Sequence, residues 1–280
     1  MIKEHRFGYV SIVGKPNVGK STLLNLLVGQ RVSVVNKKSN TTRDKILGMY
    51  NSEACQIAFL DTPGFQNLKQ SITYKQMRRE INAALDLSDT VLYLIDPYTE
   101  LHGIQEVLSQ LNRFDKKIII VINKIDLLKN KNELLPLAEE ITLATKIDEF
   151  AFISSLRNKG IDQLLTAIEK GLPIGPPEYE QDAITDTSLE FRIKEEIRNA
   201  SLNALHDEIP YGIDIELTSV SNGRDLKAYA TIWASKKSYK SILIGKEGRT
   251  IKAIGTQARK NIELWSNKKS SVYLQVNVKK

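Results

Sequence analysis

Eight consecutive residues, Gly14-Lys15-Pro16-Asn17-Val18-Gly19-Lys20-Ser21, have the types and spacing that a polyphosphate needs. Without Cβ atoms, Gly14 and Gly19 let successive backbone N–H groups converge on phosphate oxygens. A helix opening near Lys20 and running on through Thr22 aims its positive end at the same point. Lys20 supplies a point charge to the outer phosphates, and the Ser21 hydroxyl is placed to ligate Mg²⁺. Asp61-Thr62-Pro63-Gly64 fits the far side of such a site, where a carboxylate holds Mg²⁺ through water and Gly64 brings its N–H to a terminal phosphate. Alone, Asp-Thr-Pro-Gly is equally a plain turn. Between the two, Asn40-Thr41-Thr42-Arg43-Asp44 offers a hydroxyl to complete the metal's coordination when a γ-phosphate is present; Thr42 is the first choice and Thr41 the second.

Asn123-Lys124-Ile125-Asp126 adds selectivity for a base. Guanine presents N1–H and a 2-amino group as adjacent donors, and the Asp126 carboxylate can accept both. Adenine has no such pair and would leave a carboxylate expected to be buried unmatched, at a cost of at least about 1–3 kcal/mol. Asn123 can bond the base edge and brace the phosphate loop, while the aliphatic stem of Lys124 can cover the ring. Ser154-Ser155-Leu156 would add backbone and hydroxyl bonds to the base.

These residues need a frame that brings them together. Strand-like runs at 7–13, 46–50, 56–60, 91–95, 118–122 and 150–153 alternate with helix-like runs at 21–29, 68–87, 104–112, 133–145 and 161–169. The turn Asn51-Ser52-Glu53 makes one hairpin, and so one antiparallel strand. The rest predicts an α/β domain with a mostly parallel sheet, helices on both faces and ligands at the carboxyl ends of the strands. Gly171 is read as a helix C-cap. Residues 173–186 include Pro173, Pro176 and Pro177 and read as a linker, giving domains at 1–172 and 187–280.

The second domain opens with Thr187-x-x-Glu190, a capping-box pattern, on a helix to about His206. Strands follow at 213–218 and 226–233, then an apolar turn, Gly245-Lys246-Glu247-Gly248, a helix with Ile251, Ile254, Ala258 and Ile262, and a strand at 272–278. This order is similar to an α+β KH domain of the helix-strand-strand-helix-helix-strand type (type II). In such domains the Gly-x-x-Gly lets a nucleic-acid backbone approach while unstacked bases lie along an apolar groove. Ile244, Gly245, Lys246, Glu247, Gly248, Arg249 and Lys252 are the expected RNA contacts, with Lys246, Arg249 and Lys252 on phosphates. Ile242, Ile244, Ile251 and Ile254 are candidates for the groove. Trp233 and Trp265 read as core, and Lys75, Arg78 and Arg79 as a solvated helix face.

Net charge is +7, but the segment 224–280 alone has 14 Lys/Arg against 3 Asp/Glu. That bias suggests a polyanion, most simply nucleic acid, with an anionic membrane surface second. Hydrophobic content of 41% with 26% charged residues excludes a disordered or fibrous chain. Cys55 is the only cysteine, so the chain fits a reducing compartment, and the apolar runs are strand-length rather than membrane-spanning. His5, His102 and His206 show no metal-ligand spacing.

The order of phosphate loop, Thr-Thr-Arg-Asp, Asp-Thr-Pro-Gly, Asn-Lys-Ile-Asp and Ser-Ser-Leu, followed by a KH-like region, resembles the Era family of GTPases over nearly the whole chain. The resemblance implies GTP hydrolysis with Mg²⁺ and a switch between GTP and GDP states. It also implies binding near the 3′ end of small-subunit rRNA, a role in assembling the small ribosomal subunit, and a cytosolic monomer with some membrane association. Asn17 matches the asparagine with which some relatives hold K⁺ beside the phosphates. Phe65 stands where Ras-like proteins have a water-orienting glutamine, so intrinsic hydrolysis is expected to be slow, with Gln66 one position on. Many relatives continue into a further helix after the last strand. Two alternatives stay open: a GTPase associated with RNA modification, and a membrane-associated regulatory GTPase. A P-loop kinase has no use for Asn-Lys-Ile-Asp.

Overall fold

The computed structural model describes residues 4–35, 46–64, 72–206 and 208–279, leaving aside the side chains of 72–76 and 131. The chain divides into two compact units, Met1–Asp186 and Thr187–Lys280.

In the first unit, strands β1 (Arg6–Gly14), β2 (Ile46–Asn51), β3 (Cys55–Asp61), β4 (Thr90–Ile95), β5 (Lys117–Ile122) and β6 (Phe150–Phe152) form one sheet. Its order is β2-β3-β1-β4-β5-β6. Only β2 is antiparallel to its neighbour. Helices α1 (Lys20–Val28), α2 (Ile72–Leu87), α3 (Leu101–Leu111), α4 (Leu134–Thr145) and α5 (Ile161–Gly171) connect them. Strands buried along their whole length, such as Val91–Ile95, explain the continuous apolar runs. Parallel order puts Gly14, Asp61, Ile95, Ile122 and Phe152 at one edge, so the loops after β1, β3, β5 and β6 meet there.

Two local readings change, and a third is not tested. Helix α3 begins at Leu101, ahead of the expected 104, because Leu101 packs on the core. Gly171 is the last helical residue of α5 and Leu172 the C-cap; the glycine is needed for close approach, since a Cβ there would lie 2.9 Å from Lys117 Cδ. The expected start of α2 at 68–71 lies outside the described residues.

Residues 173–186 pack onto the first unit. Pro173 O accepts from Phe7 N–H at 3.2 Å and Ile184 O from Met49 N–H at 2.8 Å. Thr185 Oγ1 donates to Leu47 O at 2.6 Å. The free edge of β2 and the start of β1 present unpaired backbone groups, and the strap satisfies them. Gln56, 1% exposed, anchors it. Its Oε1 accepts from the N–H groups of Glu178 and Tyr179, both at 2.9 Å. Its Nε2 donates to Tyr179 O and Asn51 Oδ1.

The second unit comprises α6 (Leu189–Ala204), β7 (Ile213–Asn222), β8 (Leu226–Ala234), α7 (Lys237–Ile244), α8 (Arg249–Ser266) and β9 (Ser270–Val278). The sheet order is β7-β8-β9, with β8 parallel to β9 and β7 antiparallel to β8. Ile193, Ile197, Ala230, Ile232, Leu243, Ile254, Ala258 and Ile262 form a core that covers one sheet face. The N-cap of α6 is Ser188, accepting from Phe191 N–H at 3.2 Å, rather than Thr187. Trp233 is not core. Strand alternation turns it to the other sheet face, where Nε1 donates to Glu216 Oε2 at 2.7 Å. Trp265 packs at the margin of the core under the Arg192 guanidinium, 4.0 Å from the ring centroid. Arg78 and Arg79 are exposed, as expected for a solvated face.

Replacing Gln56 with Ala removes the protein acceptor shared by the part-buried N–H groups of 178 and 179. We expect a loss of about 2–3 kcal/mol in urea unfolding and faster amide hydrogen exchange across 178–185. Unchanged exchange there would show that Gln56 does not hold the strap.

Candidate functional site

The loops at the carboxyl edge of the first sheet enclose a cavity of about 620 Å³. Pro16, Asn17, Gly19, Lys20, Ser21 and Thr22 line one side, Thr62 and Gly64 another, and Asn123, Lys124, Asp126, Ser155 and Leu156 a third. Val34, Val35 and Leu127, which carry no motif, complete the wall. Gly14, Lys15, Val18, Asp61, Pro63 and Ser154 shape it without lining it. Thr42, Thr41, Phe65 and Gln66 lie outside the described residues.

The phosphate loop adopts its shape through backbone conformations that favour glycine. Gly19 has φ +104°, and a Cβ there would sit 2.3 Å from Asn123 Nδ2. Gly64 is small for a different reason: its Cβ would lie 2.7 Å from Pro16. Asn17 is exposed and left-handed at φ 65°.

Asn123 is 2% exposed and joins three loops. Its Nδ2 donates to Val18 O at 2.8 Å. Its Oδ1 accepts from Ser155 N–H at 2.9 Å and Ser155 Oγ at 3.0 Å. The Ser154 hydroxyl donates to Asp126 Oδ1. The serine hydroxyls, expected on the base, therefore orient Asn123 and Asp126 instead. Leu156 is 75% exposed. Lys124 has φ 61°, and its Nζ lies 3.5 Å from Asp96 Oδ2, which holds the stem along the cavity.

Lys20 and Asp61 are buried. Burial pushes Lys20 down to about 8, opposed by the nearby Asp61 charge. Burial likewise raises Asp61, opposed by Lys20 and by the hydroxyls of Ser21 and Ser33. Lys20 Nζ donates to Gly14 O at 3.1 Å and Lys15 O at 3.0 Å. Ser21 Oγ and Ser33 Oγ donate to Asp61 Oδ2 at 2.7 and 2.8 Å. Asp61 Oδ1 is buried with no hydrogen-bond partner. An orphaned carboxylate oxygen beside a hydroxyl suits a hard divalent cation and its water. Sequence reading missed Ser33. Asn25 fixes its backbone, accepting from Val32 and Ser33 N–H and donating to Ser33 O, but no motif marks either residue.

In the second unit, Gly245 (φ 73°) and Gly248 (φ 73°) bracket a single turn that opens α8. A Cβ on Gly245 would lie 2.2 Å from Thr250 Oγ1. Lys246, Glu247, Arg249 and Lys252 are exposed around the turn. Arg249 pairs with Glu247 at 2.9 Å, an exposed contact that a phosphate can replace at little cost. Ile244 is half-buried, Ile242 is exposed and Ile251 packs at the core margin. Ile254, a groove candidate, is fully buried core.

Residues 9–124 match the family of 50S ribosome-binding GTPases, and residues 208–280 match the KH domain. GTPase Era of Coxiella burnetii (strain Dugway 5J108-111) is 36% identical over 273 residues, 97% of this chain and 92% of that protein. The chain belongs to the Era family of GTPases. Another Era relative, from Nitrosomonas eutropha, is 36% identical over 98% of this chain and 92% of its own. The crystal structure of a single-substitution variant of Aquifex aeolicus Era bound to GDP·AlF4⁻ superposes with a TM-score of 0.93 at 35% identity, covering 98% of this chain and 94% of that one. An Era structure in complex with MgGDPNP and nucleotides 1506–1542 of 16S ribosomal RNA matches with the same score, identity and coverage.

The Era-type cavity makes a pH prediction through Lys20. Its ammonium is favoured by phosphates, whereas burial in the free protein releases the proton near pH 8. Binding therefore takes up a proton above that pH, and affinity falls as pH rises. Without divalent metal, the Kd for GDP is expected to be flat from about pH 6.5 to 7.5 and about sixfold weaker by about pH 8.8. Calorimetry checks this; a flat profile over the whole range would contradict a depressed Lys20.

Proposed function

We propose that the first unit is a guanine-nucleotide switch and that the second holds unpaired RNA at the 3′ end of small-subunit rRNA. GTP hydrolysis would then time attachment to and release from the assembling small ribosomal subunit. The observation carrying this reading is that one chain joins a cavity walled by a serine-held Asp126 and Asn123 to an exposed Gly-x-x-Gly turn ringed by cations. The Era relative solved with both MgGDPNP and 16S rRNA supports it.

Within the cavity, Asp126 accepts guanine N1–H and the 2-amino group, Asn123 fixes the loop behind the phosphates, and Lys20 neutralises the outer phosphates. Loop N–H groups from 14–22 and Gly64 N–H lie where charge builds on the transferred phosphoryl group. Mg²⁺ held by Ser21, Thr42 and, through water, Asp61 would supply further charge neutralisation. Phe65 offers the attacking water no hydrogen bond, which makes intrinsic turnover slow. K⁺ beside Asn17 belongs to the proposal, and equal turnover in K⁺ and Na⁺ buffers would remove it. So do a cytoplasmic monomer and a peripheral contact with the inner face of the cell membrane through the lysine-rich end of the chain.

Two experiments test this reading. Asp126→Asn exchanges an acceptor for a donor. GDP should bind at least about a hundredfold more weakly, while xanthosine diphosphate, whose C2 carbonyl accepts, gains. Unchanged GDP affinity would remove Asp126 from the site. The full chain, loaded with a non-hydrolysable GTP analogue or GDP, is titrated at several salt concentrations with a strand copying the rRNA 3′ end and with a scrambled strand. Tighter, sequence-dependent binding in the GTP state, lost in the Gly245→Asp, Gly248→Asp variant, is the expected result. Equal, sequence-blind binding in both states would contradict it.

A further inference from the structure

Tyr229 on β8 and Tyr273 on β9 stand opposite each other in register. Their neighbours Ala228, Ala230, Val272 and Leu274 point into or against the core, so alternation sets both tyrosines on the helix-free face of the sheet. The rings stack at 4.6 Å between centroids and 12° between planes. Yet they remain 42% and 50% exposed. β9 is an edge strand, so no further strand covers Tyr273 among the described residues.

A cavity of about 780 Å³ joins this pair to the Gly-x-x-Gly helix. Lys252, Gly255 and Arg259 of α8 line it from the helix side of the sheet, and Tyr229, Tyr273 and Gln275 from the opposite face, on either side of the edge strand β9. Among the described residues, no acidic side chain lines the cavity. Lys227, two positions from Tyr229 on the same strand face, is exposed and adds positive charge. Arg259 is half-exposed and pairs with Glu263 at 2.8 Å.

We propose that Tyr229 and Tyr273 form a base-stacking subsite, continuous with the groove beside the Gly-x-x-Gly turn, that takes one or two unpaired RNA bases beyond those held in that groove. The inference rests on the RNA reading above. Cross-strand packing alone accounts for the ring contact; it does not account for two half-exposed rings opening into an acid-free cavity shared with the phosphate-facing helix. Flat rings bind any base by its π-face, cations hold the backbone, and the Gln275 amide can reach a base edge. Tyr229, placed between Tyr273 and the sheet interior, acts by fixing the platform.

The full-length protein with GTP analogue is titrated with a short strand copying the rRNA 3′ end, and with the same strand lengthened by about three nucleotides at either end and carrying 2-aminopurine there. For the unaltered protein, one of the extensions should tighten binding about tenfold, with quenched 2-aminopurine fluorescence. Tyr229→Phe, Tyr273→Phe should keep that gain. Tyr229→Leu, Tyr273→Leu should lose both gain and quench while binding the short strand as before. An extension that adds nothing, or a gain that survives in the leucine variant, overturns the subsite alone. If the short strand fails to bind the unaltered protein, the RNA reading falls and the subsite with it.

Discussion

A single buried amide holds the nucleotide site together. Asn123 reaches from the end of β5 to the phosphate loop through Val18 O and to the loop after β6 through Ser155. Buried amide groups must find partners in fixed directions, so this residue sets the distance between the loop after β1 and the loop after β6. Gly19 follows from it, because any Cβ would collide with Asn123 Nδ2. The sheet makes the bridge possible: parallel β1, β5 and β6 deliver their loops to one edge.

The second constraint is electrostatic. Lys20 and Asp61 are both removed from water, and each titrates away from its ordinary range mainly through burial. Such a pair is weak as a stabiliser of the fold. It is well suited to ligands that bring their own charge, a polyphosphate for the ammonium and a divalent cation for the orphaned Asp61 oxygen. The strap at 173–186 ties the outer strand β2, which begins where residues 36–45 end, to the chain just before the second unit.

Much of this was legible in the sequence because the chemistry depends on residue type at short spacing. Gly14 to Ser21, Asp61 to Gly64 and Asn123 to Asp126 each sit on one loop, and apolar runs bounded by turns gave the strands. What escaped depends on contacts distant in sequence. Ser33 reaches Asp61 only because Asn25 folds the intervening loop. The prolines at 173–177 were a sound signal against helix, but they could not show that the next residues dock on Gln56. Trp233 looked like core because composition does not reveal which face of β8 meets the helices; the alternation that buries Ile232 and Ala234 turns Trp233 the other way. The serines at 154 and 155 were placed at the right edge of the sheet, but their hydroxyl partners depend on side-chain geometry.

The central claim, that Asn123 supports both halves of the site, is tested most directly with a ligand that has no base. Inorganic pyrophosphate and GDP are titrated into the unaltered protein and into Asn123→Ala. If the amide holds the phosphate loop as well as the base loop, both ligands lose affinity, each by about tenfold or more. Unchanged pyrophosphate binding alongside weakened GDP would confine Asn123 to the base and contradict this account.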